Sequence, residues 1–266
     1  SAASRMITAA GERPCLEMGS RRASEESAVA AARAAVIAGF AGTSNLEAGY
    51  RYDLKTVGTS AHAFTLLHDD EEAAFRSQLE TMGVGTTLLV DTFDITKGVE
   101  NALAVAGTEL GGVRIDSGDL GIVSRRVRKQ LDEAGAFNTR IIVSSDLDEF
   151  AIAGLRGDPV DGFGVGTSVV TGSSAPTAGL VYKLVEVEGH PVAKRSSGKI
   201  THGGGKTALR AYRSSGVAVA EVVLPLGTEM AHKPNLEYRE MTVPLIRDGE
   251  IVDGQPSIDE IRELHA

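Results

Sequence analysis

The chain has 266 residues, 42% hydrophobic and 24% charged, with a formal charge of −9 and a single cysteine, Cys15. This length can bury a full α/β core, and one cysteine excludes an internal disulfide framework and a cysteine-based zinc site. No apolar run is long enough to cross a bilayer, no signal peptide opens the chain, and the acidic balance speaks against nucleic acid, so a reducing cytoplasm is the expected setting. Anionic small substrates stay open, because local arginines and backbone amides attract phosphate whatever the net charge.

Residues 1–19 read as the interior of a longer or processed protein, with a helical run over 3–10. Ser24 is placed as an N-cap, Glu25 and Glu26 suit the positive helix end, and an alanine-rich helix runs to Gly39. A short strand over 54–57 leads into Gly58-Thr59 and a helix over 61–67. An amphipathic helix with an acidic first turn covers 69–82. Next come a strand over 86–90, a helix over 97–106, a strand over 113–115, and a long helix over 120–134 that Gly135 ends. A strand over 140–143, a helix over 147–155 and a strand over 160–165 complete the series. Helices between short apolar strands mean crossover connections and a parallel sheet. Five or more such units predict an α/β fold, a parallel βα barrel, whole or partial, over residues 1–175. Residues 176–266 read as a β-rich appendage or second-domain segment. Its strands are expected over 180–187, 191–196 and 209–212, a further strand and turn over 241–249, and a helix over 257–265.

The residues just past each strand carry the chemistry. Gly58-Thr59-Ser60-Ala61-His62, Asp91-Thr92-Phe93-Asp94, Asp116-Ser117-Gly118-Asp119, Ser144-Ser145-Asp146 and Gly164-Val165-Gly166-Thr167-Ser168 are all polar clusters at strand ends. In a parallel barrel they share the C-terminal rim, where active sites form. Turn and cap chemistry explains part of this pattern, but five clusters on one face point to a rim site. Gly164 and Gly166 let backbone amides turn towards an anion and Thr167 adds a hydroxyl, which makes a phosphate cradle or a tight packing turn. Arg114 and Asp116 alternate, so in a strand they face the same side. The arginine fork can grip a planar carboxylate, and nearby carboxylates can hold Mg²⁺ or ribose hydroxyls; a structural ion pair with an N-cap is the other reading. His62 lies beside a helix start, and alone it reads more readily as structural than catalytic. Gly203-Gly204-Gly205-Lys206-Thr207 is no P-loop, because Ile200 stands where its first glycine belongs; a hairpin loop fits better. Gly162, Gly164 and Gly166 lack the dinucleotide-binding spacing.

Together, Glu17-Met18-Gly19-Ser20-Arg21-Arg22, Gly42-Thr43-Ser44-Asn45, Gly58-Thr59-Ser60-Ala61-His62, Arg114-Ile115-Asp116-Ser117-Gly118-Asp119 and Phe163-Gly164-Val165-Gly166-Thr167 resemble, in order, the nicotinate phosphoribosyltransferase family, a type II phosphoribosyltransferase, in its actinobacterial form. Val181-Tyr182-Lys183-Leu184 and Lys194-Arg195-Ser196 are similar to its post-barrel strands. The resemblance implies transfer of phosphoribose from phosphoribosyl pyrophosphate to nicotinate with Mg²⁺, coupled to hydrolysis of ATP through a phosphohistidine at His62. It assigns Thr59 and Arg114 to nicotinate, Gly164, Gly166 and Thr167 to the donor phosphate, Asp116 and Asp119 to the ribose or metal, and Arg21 and Arg22 to anionic groups. It nominates no metal ligand by name. It also implies a homodimer whose site is completed by an N-terminal segment carrying an aromatic residue, which this chain is expected to lack. A serine within Ser144-Ser145-Asp146 stands where the family pattern has glycine. The alternatives are a nicotinamide or quinolinate phosphoribosyltransferase, a barrel phosphosugar lyase or isomerase, and an inactive or regulatory fragment. A quinolinate enzyme has no use for the Gly-Thr-Ser-Ala-His motif, nicotinamide has no carboxylate for Arg114, and no lysine ends a strand to serve a lyase.

Overall fold

An open, all-parallel sheet frames the first part of the molecule. The computed structural model describes residues 1–172, 174–196, 198–252, 254 and 256–265. The sheet strands are β1 Cys15–Glu17, β2 Gly42–Thr43, β3 Thr87–Leu89, β4 Gly112–Ile115, β5 Arg140–Val143 and β6 Gly162–Val165. They lie in the order β2-β1-β6-β5-β4-β3. Taken around a circle, this is simply chain order with one opening between β2 and β3, so the sheet is a curled half-barrel. Crossover helices force this arrangement, since parallel neighbours cannot be joined by tight hairpins. The predicted strand over 54–57 shrinks to one parallel bridge, Thr43 to Thr56 at the β2 edge. Leu54 packs instead on a small satellite cluster of Val29, Ala32 and Ala48.

The helices are α1 Ala2–Ala10, α2 Glu25–Ile37, α3 Leu46–Tyr52, α4 His62–Leu66, α5 Glu71–Met82, α6 Ile95–Ala106, α7 Leu120–Glu133, α8 Glu149–Gly154 and α9 Thr167–Thr171. Aspartates start four of them: Asp70, Asp94, Asp119 and Asp148 each accept a backbone N–H from the first turn, satisfying donors the helix leaves open. Ser24 precedes α2 as expected, but its hydroxyl turns to Ser27 Oγ and caps no amide. The helices cover a core of Phe75, Leu88, Val113, Ile115, Leu131, Ile141, Ile152 and Phe163, all at most 1% exposed. Every residue of β6 is buried, as a strand covered on both faces requires.

By compactness the chain divides into one unit of Ser1–Val187 with Val192–His202, and another of Glu188–Pro191 with Gly203–Ala266. Residues 176–187 and 192–202 therefore belong with the sheet. The strands expected over 180–187 and 191–196 contract to β7 Glu186–Val187 and β8 His190–Pro191. The reason is that the backbone there finds side-chain partners: Arg22 Nη1 donates to the Leu180 carbonyl at 2.7 Å, and the Lys194 amide donates to Thr201 Oγ1 at 2.9 Å.

The other unit contains β9 Lys206–Tyr212, β10 Ala218–Pro225 and β11 Glu237–Glu240, paired antiparallel in the order β10-β9-β11. A hairpin of β12 Ile246–Arg247 and β13 Glu250–Ile251 and the helix α10 Ile258–His265 complete it. Residues 203–205 form the loop into β9, whose first two residues are Lys206 and Thr207. No phosphate-loop geometry arises there. The sequence pattern does not reveal β10 and β11.

Candidate active site

The rim is built by what each strand delivers at its end. β4 stops at Ile115 and presents Asp116; the chain after β3 buries Asp91 and Thr92; the turn beyond Thr56 makes His62 the first residue of α4. These three stretches converge on the His62 ring. Its Nε2 lies 3.6 Å from Asp116 Oδ2 and 3.9 Å from Asp91 Oδ1, and its Nδ1 lies 3.1 Å from Thr92 Oγ1.

Arg114 and Asp116 do face the same side. Arg114 Nη1 donates to Thr59 Oγ1 at 2.5 Å and its Nε to Ser144 Oγ at 2.9 Å. Ser144 Oγ in turn donates to Asp116 Oδ1 at 2.7 Å, and Arg114 Nη2 stands 3.7 Å from that oxygen. Burial is the largest influence on Asp116 and by itself raises its pKa. The His62, Arg114, Lys199 and Ser144 interactions together outweigh it and hold the carboxyl well below the usual range, so it is ionised.

Two lysines that nothing local in the sequence marked as site residues complete the cluster. Lys194 Nζ is 2.6 Å from His62 Nε2 and 3.8 Å from Asp116 Oδ2. Lys199 Nζ donates to Asp116 Oδ2 at 3.1 Å and to Ser145 Oγ at 3.0 Å. Their segment is tied to the rim after β3: the Arg195 amide donates to the Thr92 carbonyl at 2.9 Å, and Ser196 Oγ donates to the Asp91 carbonyl. Burial lowers the Lys194 pKa more than Asp91 and Asp116 raise it. The Lys183 pKa is likewise lowered, first by burial and then by the charges of Arg21, Lys199 and Arg22.

These residues surround an open cavity of about 670 Å³, a size suited to a nucleotide-like ligand. Six cations line it, Arg21, Arg22, Arg114, Lys183, Lys194 and Lys199, against two carboxylates, Asp116 and Asp146. In a chain of net charge −9, the cavity has the opposite sign. Cations that raise one another's energy are relieved by an anion, so the cavity suits a negatively charged ligand.

Gly164, Gly166 and Thr167 also line the cavity. Both glycines have a packing reason as well: an added Cβ would stand 2.9 Å from Met18 Sδ at Gly164, and 3.0 Å from the Met18 carbonyl at Gly166. The packing reading holds at both positions, and both also border the cavity. Asp119 does not join the site. It is exposed, and its Oδ1 accepts from the Ile122 amide at 3.0 Å as the N-cap of α7. Gly118 before it takes a left-handed φ of 81°. In the loop after β5, Ser145 and Asp146 take φ of 105° and 42°, conformations that cost side-chain-bearing residues energy.

The family resemblance implies Mg²⁺, and the side chains fit it. Asp91 is fully buried; its Oδ2 accepts from Ser117 Oγ at 2.6 Å, while Oδ1 has no hydrogen-bond partner. Ligand atoms of His62, Asp91 and Asp116 lie within 4.8 Å of one another. Carboxylate oxygens are the hard donors this ion prefers.

Comparison with known proteins agrees with this geometry. The model of the nicotinate phosphoribosyltransferase (NAPRTase) family matches residues 14–214. Nicotinate phosphoribosyltransferase pncB1 of Mycobacterium tuberculosis is 57% identical across 100% of this chain, which spans 60% of that relative's length. The Bacillus subtilis nicotinate phosphoribosyltransferase is 44% identical over 70% of this chain and 40% of its own. The crystal structure of nicotinate-nucleotide pyrophosphorylase from Pyrococcus furiosus superposes with a TM-score of 0.60 at 31% identity, covering 99% of this chain and 67% of that one. With its half-barrel, its rim site and this degree of likeness, the chain belongs to the nicotinate phosphoribosyltransferase family.

Proposed function

We propose that the protein transfers phosphoribose from phosphoribosyl pyrophosphate to nicotinate, forming nicotinate mononucleotide and pyrophosphate in NAD salvage. ATP hydrolysis is coupled to the transfer through a phosphorylated His62. The observation that carries the reading is the convergence of the Arg114 fork, the His62 ring and the Asp116 carboxylate on one cation-lined cavity. ATP, magnesium, a homodimer and a cytoplasmic setting belong to the same proposal and rest on the family alone.

The chemistry is a matter of charge placement. Arg114 exchanges its neutral partners, Thr59 and Ser144, for the nicotinate carboxylate and so orients the pyridine nitrogen. The nitrogen lone pair forms the bond to ribose C1 while the C1–O bond to pyrophosphate breaks. Positive charge grows on the ribose in that transition state, and ionised Asp116 stabilises it. Lys183, Lys194, Lys199, Arg21 and Arg22 receive the negative charge of the departing pyrophosphate. Asp91 and Asp116 would hold Mg²⁺, which when bound neutralises the phosphate oxygens.

The test is to combine the protein with nicotinate, phosphoribosyl pyrophosphate, Mg²⁺ and ATP and to follow mononucleotide, with nicotinamide and quinolinate in parallel. Nicotinate mononucleotide with accompanying ADP is the expected product. A preference for nicotinamide overturns the role of Arg114, and no mononucleotide from any of the three overturns the reading.

A further inference from the structure

We infer that Glu17 is a positioning residue that clamps the turn after β1 and so stands Arg21 and Arg22 in the cavity, where they capture an anion. The clamp is read from geometry; the identity of that anion as a pyrophosphate group rests on the phosphoribosyl-transfer reading above.

Glu17 ends β1 between two parallel neighbours, in register with Thr43 of β2 and Val165 of β6. It is fully buried, and a buried carboxylate costs stability unless its oxygens find donors. Both do. Oε1 accepts the Gly19 amide at 2.5 Å, and Oε2 accepts the Thr43 hydroxyl. These two donors are neutral, so what the carboxylate supplies through them is direction. An apolar side chain would fill the same space without needing any partner.

The direction is given to the chain at Gly19. With its amide held by Glu17, Gly19 offers its carbonyl to the Arg22 amide at 2.9 Å, closing one short helical turn over Ser20–Arg22. A second tie reaches the turn through the same hydroxyl. Thr43 Oγ1 accepts the Asn45 amide at 3.0 Å, and Asn45 Nδ2 donates to Ser20 Oγ at 3.0 Å. Gly19 and Ser20, the two residues before Arg21, are thus both fixed to the ends of β1 and β2. A turn of three residues has too few internal hydrogen bonds to hold itself, so these outside ties decide where the arginines stand. Arg21 and Arg22 line the cavity. Arg22 Nη1 also donates to the Leu180 carbonyl at 2.7 Å, three residues before Lys183, so the clamp bears on three of the six cations there.

The experiment titrates inorganic pyrophosphate into the chain by calorimetry, without divalent metal, at one fixed pH and salt. Glu17→Met keeps the bulk and removes both acceptors. It should weaken pyrophosphate binding about 10- to 100-fold, as expected when charge-assisted contacts are misplaced. Glu17→Gln keeps an acceptor for the Gly19 amide and should recover most of that affinity. Ser20→Ala cuts only the second tie, at a half-buried position, and should weaken binding about 2- to 10-fold. It answers the question even if Glu17→Met does not fold. In a chain that already carries Arg21→Ala and Arg22→Ala, neither substitution should change the affinity further, because no arginine is left to position. In turnover, Glu17→Met should raise KM for phosphoribosyl pyrophosphate and leave KM for nicotinate unchanged. Unchanged pyrophosphate affinity in Ser20→Ala or in folded Glu17→Met overturns the inference, and so does an equal further loss in the arginine-free chain. Capture that depends on Glu17 in a chain forming no mononucleotide leaves the clamp standing and overturns the functional reading. Mononucleotide formation with capture indifferent to Glu17 does the reverse.

Discussion

Arg114 meets Thr59 through a 2.5 Å hydrogen bond that joins the end of β4 to the turn carrying His62. The pairing leaves a full positive charge satisfied only by hydroxyls and by Asp116 at 3.7 Å. A substrate carboxylate is a stronger acceptor than either hydroxyl. Arg114→Lys should therefore raise KM for nicotinate about 10- to 100-fold, as expected for loss of a charge-assisted bond of roughly 1.5–3 kcal/mol. The same variant should narrow the preference for nicotinate over nicotinamide. Parallel steady-state kinetics with both pyridines check this; an unchanged preference means that Arg114 does not read the carboxylate.

His62→Ala removes the proposed phosphoryl acceptor. Nicotinate-dependent ATP hydrolysis should fall to background, and acid-labile phosphate on the protein should vanish. Labelling with γ-³²P-ATP followed by acid treatment measures both. Hydrolysis that remains coupled to mononucleotide formation would count against His62.

How much of this is legible in the sequence depends on range. β5 is readable at its observed bounds, because an apolar β-branched run between turns leaves little freedom. Arg114 and Asp116 pair by strand alternation, a local rule. Asp119 is assigned to the rim by the same kind of local reading, since an aspartate before a helix suits a rim site and an N-cap equally; the structure shows it exposed and capping α7. The strand over 54–57 fails because its far side has no neighbour at the barrel opening, which propensity cannot show. Lys194 and Lys199 are out of reach altogether. Their chemistry comes from a return of the chain to Asp91 and Thr92, and no nearby pattern announces it.

Glu71 gives a prediction outside the site. It is buried between α5 and α6, where Asn101 Nδ2 donates to its Oε2 at 3.0 Å while Oε1 is unpartnered. Burial is the main cause that pushes its pKa up to about 7 from 4.5. Between those two values the folded chain binds more protons than the unfolded one, so stability falls as pH rises through this window. Glu71→Gln removes the charge and should flatten that slope. The gain above pH 7 should be on the order of 3 kcal/mol, with little difference below pH 4. Urea denaturation of both proteins across this range checks the sign; parallel curves would show that Glu71 does not titrate abnormally.

Gly19 is the tightest point between β1 and α9. A Cβ there would stand 2.0 Å from Val170 Cγ2 and 2.8 Å from the Gly166 carbonyl. Gly19→Ala must push α9 outward and should cost roughly 1–3 kcal/mol. Because Thr167 opens α9, affinity for phosphoribosyl pyrophosphate should fall as well. Thermal unfolding and donor titration measure the two effects, and a neutral variant would mean that the helix end has more room than its backbone suggests.

Ser145→Gly tests the strained loop. At φ 105° glycine removes a conformational cost of about 1–3 kcal/mol and forfeits the Lys199 contact, worth roughly 1.5–3 kcal/mol when fully formed. The contact is partly exposed, so relief should win and Tm should rise slightly. A fall in Tm would make Lys199 the stronger of the two influences.

The return of residues 194–199 to the rim sets an order of events during synthesis. Everything up to Val165, and with it all six sheet strands, is synthesised before Lys194 and Lys199. In that interval Asp91 and Asp116 sit close together without the two ammonium groups that later stand beside them. The frame can close early, yet the site becomes electrically complete only when the late segment docks. A chain ending at Val187 should therefore keep the sheet and the four earlier cations of the cavity but bind anions more weakly, for want of Lys194 and Lys199.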